Sequence, residues 1–156
     1  CSIAKLVSPR TPVEKGGTYW GYSVRLCDSL SEALSGKPWA ATDKEGGYDL
    51  AIGTSERGQS VAEVLASTAL AQGGGKGSGG LPRFEHAIIV FGGLSGLEVA
   101  VENDAGIPLD AGQAHELFDL WINVAENQGS RTIRTEEAVL IALSRLCPAL
   151  ESVGRG

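Results

Sequence analysis

The stretch that organises this chain is N-V-A-E-N-Q-G-S-R-T-I-R-T-E-E-A at residues 123–138, which is dense in polar donors. An apolar, strand-like run at residues 117–124 enters it, and A-V-L-I-A-L at residues 138–143 leaves it as a helical pattern apolar on nearly every side. Rigid flanking elements position the donors of a loop between them. We therefore expect this loop to carry function and the rest of the fold to support it.

Composition indicates one globular domain, because 42% of the 156 residues are hydrophobic and only 21% are charged. The net charge of -6 argues against a large exposed nucleic-acid surface, although local basic patches remain possible. Cys1, Cys27 and Cys147 show no paired spacing, and with only His86 and His115 there is no zinc signature. We predict no metal site and a reducing intracellular compartment.

The ends of the chain point to a piece of a longer protein. It begins at Cys1 and contains no Met, so we expect a processed or truncated product. No apolar run approaches the roughly 20 residues of a membrane helix, and no charged-then-apolar leader opens the chain. No membrane association is predicted, although a targeting segment could have preceded Cys1.

Strand-like and helix-like segments alternate along the chain. The pattern predicts strands at residues 2–7, 18–26, 48–52, 86–91 and 117–124, and turns at 8–12 and 104–113. It predicts helices from a cap at Asp28 or Ser29 through Leu34, at residues 61–70, just after the glycines at 92–96, and at 135–146. Pro148 should end the last helix, because proline lacks a backbone N–H. This alternation indicates an α/β fold with a mostly parallel sheet.

Three better-known motifs fail on inspection. Residues 72–80, Q-G-G-G-K-G-S-G-G, resemble a phosphate loop, but Gly77 follows Lys76 and Leu70 stands where the first glycine should be. A flexible surface insertion is the better interpretation of this segment. The G-x-G-x-x-G dinucleotide pattern is not met at residues 92–98, and the G-x-S-x-G nucleophile elbow around Ser95 fails because position 97 is Leu. Neither a Rossmann oxidoreductase nor a serine hydrolase is supported.

Three predicted strands end in polar or glycine-rich loops, at residues 53–58, 92–98 and 123–134. In parallel α/β sheets, ligands bind outside the carboxyl ends of the strands. We therefore expect these loops to meet around one ligand.

The same loops resemble those of a known family. The strings are Y-W-G-Y-S-V-R at 19–25, Y-D-L-A-I-G-T-S-E-R-G at 48–58, I-V-F-G-G-L-S-G-L-E at 89–98 and Q-G-S-R-T-I-R-T-E-E-A at 128–138. They resemble the SPOUT superfamily of S-adenosylmethionine-dependent RNA methyltransferases, in particular its archaeal and eukaryotic branch with an inserted OB-like domain. The resemblance covers roughly residues 4–150. It implies a SPOUT-type α/β knot, which ends in a C-terminal trefoil knot. Such a knot is a rare exception to the rule that protein chains do not thread through their own loops.

The resemblance also implies roles for single residues. The cofactor S-adenosylmethionine would be bound by Arg57, Gly92, Gly93, Asn123, Gln128 and Thr135, with the backbone of residues 124–129 at the adenine edge. Glu98 and Arg131 would lie nearest the target nucleotide, as candidate catalytic residues.

Structural alternatives exist for each of these residues. Arg57 and Glu98 could form an ordinary ion pair, Thr135 could be a helix cap, Asn123 a turn former, and the glycines simple turn residues. No base is identified, and His86 and His115 lie outside the matched strings, so we expect both to be structural.

The chain departs from the family pattern in two places. Asn127 stands where proline is usual, and residues 72–80 lengthen a normally short connection. By this resemblance, residues 1–12 end an upstream inserted OB-like domain, residues 13–150 form the C-terminal part of the SPOUT domain, and residues 151–156 are a tail. Most of the RNA-binding surface would then lie outside this chain.

Together these expectations describe a methyltransferase acting on ribosomal or other structured RNA. The partners implied are rRNA or pre-rRNA, a second copy or a related SPOUT chain in a dimer, and a pre-ribosomal particle. The localisation implied is nuclear or nucleolar in a eukaryote and cytoplasmic otherwise. The alternative is a non-catalytic scaffold protein of a ribonucleoprotein that keeps the same fold.

Overall fold

A parallel three-stranded sheet forms the centre of the molecule in a computed structural model, which describes residues 11–17, 24–36, 47–70, 80–93 and 95–154. The strands are β1 Leu50–Ser60, β2 Ala87–Val90 and β3 Leu120–Asn123, in the order β2-β1-β3. The described helices are α1 Thr11–Gly16, α2 Leu30–Ser35, α3 Val61–Leu70, α4 Glu98–Glu102 and α5 Thr135–Val153, with a 3₁₀ helix at Ala111–Leu117. The predicted parallel α/β architecture is confirmed.

Two hydrophobic clusters cover the sheet. The larger joins Ile52 and Ile122 of the sheet to Val64 of α3 and Leu146 of α5, all four fully buried. The smaller joins Val101, Ile107 and Ala114, with Trp121 of β3 packed against them. Because neighbouring strand residues point to opposite faces, Trp121 and Ile122 place the two clusters on opposite sides of β3.

Two carboxylates hold together the segments that precede the strands. The Asp49 carboxylate accepts hydrogen bonds from the backbone N–H groups of Glu85 (2.8 Å) and His86 (2.7 Å), which aligns the starts of β1 and β2. The Asp119 carboxylate accepts from the N–H of Ala51 at 2.9 Å, just ahead of β3. These bonds set the register of the parallel strands.

Asp104 is the buried polar residue among those described, at 7% exposure. Its carboxylate accepts hydrogen bonds from the Ser31 N–H (2.6 Å) and hydroxyl (2.9 Å) and from the Gly106 N–H (2.8 Å). The Ser31 backbone bond contributes most to holding the pKa of Asp104 below its usual value. This carboxylate thereby fastens α2 to the segment after α4, a contact for which the sequence carries no local signal.

Several predicted boundaries move. β1 continues to Ser60, whereas the sequence predicted an end at residue 52. The strand predicted at 117–124 begins only at Leu120, because Leu117 ends the 3₁₀ helix and packs on the smaller cluster. Ser29 is the cap of α2, its hydroxyl accepting from the Glu32 N–H at 3.1 Å, as predicted.

Other expectations concern the N-terminal half and the glycine-rich segment. The turn predicted at residues 8–12 gives way to helix α1 from Thr11. Residues 24–26, the described end of the strand predicted at 18–26, are not in a strand. Residues 1–10, 18–23 and 71–79, which include the predicted strand at 2–7 and nearly all of the insertion at 72–80, lie outside the described residues.

The prediction that Pro148 ends the last helix is wrong, because α5 runs through it to Val153. An interior proline costs about 3 kcal/mol or more. Beyond it, Ala149, Leu150 and Val153 pack against the larger cluster. Full burial of one Leu or Val side chain stabilises by about 1.5–3 kcal/mol, so partial burial of these three side chains together counters much of the loss.

Replacing Leu146, which is fully buried, should test this packing. We expect Leu146→Ala to lower the free energy of unfolding by about 2–5 kcal/mol, because the cavity left behind is enclosed by strands and helices. Leu70→Ala is the control, since Leu70 is 85% exposed and its change should fall within about 0.5 kcal/mol. Urea denaturation of the two variants measures both values, and equal effects would contradict the described core.

Candidate functional site

Three loops at the carboxyl edge of the sheet enclose a cavity of about 530 Å³. One loop is a bulge within β1, one follows β2 and one follows β3. All three line the same cavity, so the prediction that these loops meet is confirmed. Every residue that the sequence proposed for cofactor or target lines this cavity: Arg57, Gly92, Gly93, Glu98, Asn123, Gln128, Arg131 and Thr135.

The first loop is a bulge within β1. Thr54 and Gln59 both pair with Ile122 of β3, so residues 55–58 are displaced from the sheet. Gly58 is required there, because a Cβ at this position would overlap the backbone of Ile122. The bulge exposes Glu56 and Arg57 at the cavity.

The second loop is shaped by its glycines. Gly96 donates its N–H to the Gly93 carbonyl at 3.0 Å and has φ +79, which favours glycine. A Cβ on Gly92 would lie 2.6 Å from the carbonyl carbon of Gly96, so Gly92 is needed by the loop itself. A Cβ on Gly93 would meet nothing within 4 Å, which leaves its backbone open toward a ligand.

The third loop is tied to the other two by side chains. The Asn123 amide donates to the Glu56 carbonyl at 3.0 Å, and its oxygen accepts from the Ala125 N–H at 2.9 Å. The Thr135 hydroxyl donates to the Gly92 carbonyl at 3.3 Å. These bonds join the three loops into one preformed wall.

The geometry bears on the structural alternatives. Asn123 does form a turn through its bond to Ala125, and it also bridges two loops. Thr135 is the first residue of α5, and its cap is Arg134, whose N–H donates to the Glu137 carboxylate at 3.1 Å. Arg57 and Glu98 lie 4.0 Å apart, with the Arg57 side chain 75% exposed and that of Glu98 20% exposed.

Charge at the cavity is mixed. Arg57 and Arg131 contribute two exposed cations, and Glu56 and Glu98 contribute two carboxylates. Gln128 donates its amide to the Ser130 carbonyl at 2.8 Å, so it shapes its own loop. Such a wall suits a ligand that carries both signs of charge.

Sequence reasoning missed a polar cluster behind this wall. The Glu126 carboxylate accepts from the Ser60 hydroxyl (2.6 Å) and the Ala62 N–H (3.2 Å), and lies 3.4 Å from the Arg145 guanidinium. Arg145 also donates to the Val124 carbonyl at 2.9 Å. The cluster fastens the third loop to the start of α3 and to α5, which are distant in sequence and give no common motif.

The two histidines lie apart from this cavity's wall. His86 donates its backbone N–H to Asp49 beside the start of β2. His115 lies on the 3₁₀ helix at a second cavity of about 320 Å³, which shares Arg57 and Glu98 with the first. Among the described residues, no group of three His, Cys, Asp or Glu could hold a metal ion, and no helix there is long and apolar enough to cross a bilayer.

Comparison with known proteins shows the family. Residues 2–146 match the family described as "Putative RNA methyltransferase". The chain belongs to this RNA methyltransferase family. The match covers all three loops of the cavity, so the site described above is a feature of a family member.

Three similar curated proteins share one name. The chain is 46% identical over 149 residues to 28S rRNA (uridine-N(3))-methyltransferase of Mus musculus, covering 96% of this chain and 33% of that protein. It is 45% identical over 150 residues to the Homo sapiens protein of the same name, covering 96% and 34%. The Drosophila melanogaster protein of that name is 44% identical over 146 residues, covering 94% and 26%. The chain thus spans about a third or less of the length of these relatives.

The Glu126 cluster predicts a pH dependence of stability. The Ser60 hydroxyl, then the Ala62 N–H and Arg145, hold the pKa of Glu126 below its usual value of 4.5. Because the folded-state pKa is depressed, the stabilisation is present above pH 4.5 and is lost as the pH falls through the folded-state pKa. We expect the stability difference between wild type and Glu126→Gln to shrink over that range, as measured by urea denaturation.

The exposed Glu151 supplies the control for this series. Glu151→Gln should follow the wild-type pH profile. A Glu126→Gln difference that stays constant down to pH 3 would contradict the assigned role of the carboxylate.

Proposed function

We propose that the complete protein is an S-adenosylmethionine-dependent methyltransferase acting on ribosomal RNA, and that the cavity of about 530 Å³ holds the cofactor. The observation that carries this proposal is the junction of three strand-end loops, cross-linked by Asn123 and Thr135, in a member of an RNA methyltransferase family. The alternative of a scaffold without turnover is tested below.

The residues present fit such a cofactor. Small-molecule sites are typically clefts of about 300–1,000 Å³ with a few convergent polar groups, and this cavity lies in that range. The cofactor carries a carboxylate as well as a positive sulfonium and ammonium. Arg57 and Arg131 suit the carboxylate, Glu56 suits a positive group, and the backbone of residues 124–129 suits the adenine edge.

The bound cofactor supplies an activated methyl group. The chain contributes alignment, because residues fixed on strand ends hold donor and acceptor in one geometry. Asn123 and Thr135 act as positioning residues, since each fixes a carbonyl of a neighbouring loop. Gly93 is exposed, and a Cβ there would meet nothing within 4 Å, so its backbone is accessible to a ligand.

The names of the relatives favour the N3 atom of a uridine in ribosomal RNA as the acceptor. If the protein is eukaryotic, an rRNA substrate favours a nuclear or nucleolar location. In any other organism it favours the cytoplasm. We also propose association with pre-rRNA or a pre-ribosomal particle, through surfaces partly outside this chain.

We further propose the SPOUT class, with residues 124–134 as the loop of a trefoil knot and an OB-like domain inserted upstream of residue 13. The parallel sheet and its carboxyl-edge cavity support this assignment. Helix α5 exposes Leu140 (71%) and Leu143 (38%), which supports a dimer with a second copy or a related chain. Native mass spectrometry of the complete protein distinguishes those two dimers.

Gly92 offers a direct test of the cofactor site. Gly92→Ala should weaken S-adenosylmethionine binding at least about tenfold, because the second loop must shift to accept the Cβ. Gly47→Ala is the matched control, since its Cβ would meet nothing within 4 Å and Gly47 does not line the cavity. Isothermal titration of the complete protein measures both, and unaltered binding by Gly92→Ala would count against this site.

Turnover is tested with a labelled methyl donor and rRNA. We expect labelled N3-methyluridine after nuclease digestion of the RNA. Cofactor binding and RNA binding without any labelled product would favour the scaffold alternative, and absence of cofactor binding would reject the proposed function.

A further inference from the structure

The second cavity, of about 320 Å³, adjoins the first through the residues they share, Arg57 and Glu98. Its other lining is one aromatic ring, Trp121, with His115 and small residues of the 3₁₀ helix. We propose that this cavity receives the uracil base of the target nucleotide, with Trp121 as its stacking surface and Glu98 as the acceptor of its imide proton. This inference rests on the proposed function.

The Trp121 indole is held in place from several sides. Its ring centroid lies 5.4 Å from that of Phe118, and it packs against the cluster of Val101, Ile107 and Ala114. A Cβ on Gly53 would lie 2.5 Å from the indole, so the ring rests directly on the backbone of β1. A fixed aromatic ring is the usual platform for an unstacked base.

The small side chains on the 3₁₀ helix leave room beside that ring. Ala111, Gly112 and Ala114 line the same cavity, and a Cβ on Gly112 would meet nothing within 4 Å. The volume falls at the lower end of the range for small-ligand sites, which suits one base rather than a larger group.

Glu98 differs from Glu126, a carboxylate whose side chain is similarly covered. Its side chain is 20% exposed and that of Glu126 is 25% exposed, yet Glu126 accepts hydrogen bonds from Ser60 and Ala62. In the described part of the chain no hydrogen-bond donor reaches Glu98, and its charged partner is Arg57 at 4.0 Å. The Glu98 carboxylate therefore lines both cavities with no donor from the described residues bound to it, which leaves it open to a hydrogen-bond donor on a ligand there.

A uracil base supplies that donor. Its N3–H would donate to the Glu98 carboxylate, whereas N3 of cytosine carries a lone pair that the carboxylate would repel. Glu98 would therefore favour uridine over cytidine by an unfavourable contact with the wrong base as well as a good contact with the right one.

The transfer balances with Glu98 as the base. The N3–H bond breaks and its proton passes to a Glu98 carboxylate oxygen, while the electron pair left on N3 forms the new N–CH₃ bond. The methyl group comes from the cofactor's sulfonium, whose S–CH₃ electron pair stays on sulfur. A positioned base of this kind typically contributes about 10²–10⁴-fold to the rate.

Base binding can be tested apart from activity by photocross-linking the complete protein to oligouridylate containing 5-iodouridine. We expect the cross-link to map to the peptide containing Trp121. Gly112→Phe should fill the cavity and reduce this cross-link at least about tenfold, while leaving S-adenosylmethionine affinity within about twofold. Glu116→Phe is the control, because it adds the same ring to the exposed side of the 3₁₀ helix outside the cavity.

Glu98→Gln separates the carboxylate from the shape of the site. It should retain the cross-link, reduce the preference of the protein for 5-iodouridine over 5-iodocytidine oligomers, and lower methyl transfer at least about 100-fold. The residual rate should rise with pH, because hydroxide can remove the imide proton.

Three results would overturn the inference. They are a cross-link that maps away from Trp121, a Gly112→Phe variant that loses S-adenosylmethionine binding together with the cross-link, and a Glu98→Gln variant with unchanged base preference. The second would assign the cavity to the cofactor. If the wild type bound no cofactor, the proposed function would fail, and the cross-link to Trp121 would still decide whether the cavity binds uracil.

Discussion

Two hydrogen bonds govern the architecture of the site: the Asn123 amide to the Glu56 carbonyl and the Thr135 hydroxyl to the Gly92 carbonyl. Each starts from the third loop and ends on the backbone of another. Loops at a sheet edge are normally the most mobile part of an α/β domain. Here they are bound to one another, and the Glu126–Arg145 pair fastens the third loop from behind. The cavity is therefore preformed, which lowers the entropic cost of binding a flexible ligand.

Much of this arrangement could be predicted from the sequence, because periodicity and spacing are local properties. The alternation of apolar strands and helices predicted a parallel sheet, and the polar residues after each strand predicted a common edge. The resemblance of the loop sequences to a known family predicted six cofactor-binding residues and two residues near the target nucleotide, and all eight line one cavity. Their contacts with a cofactor remain a prediction.

What could not be predicted depends on tertiary contacts. Pro148 would stop an isolated helix, but burial of Leu150 and Val153 carries α5 past it. Asp104 and Glu126 resemble ordinary surface acids in sequence, and each is fixed by donors remote in the chain. The bulge in β1 depends on the close approach of Gly58 to Ile122, and no local pattern records that pairing.

The central claim is that the junction of the three loops is the cofactor site of an RNA methyltransferase. A crystal structure of the complete protein grown with S-adenosylmethionine tests it most directly. The account predicts density for the cofactor between the β1 bulge, the Gly92–Gly96 turn and the loop that ends at Thr135. Density at a different site, or an empty cavity at saturating cofactor, would contradict it.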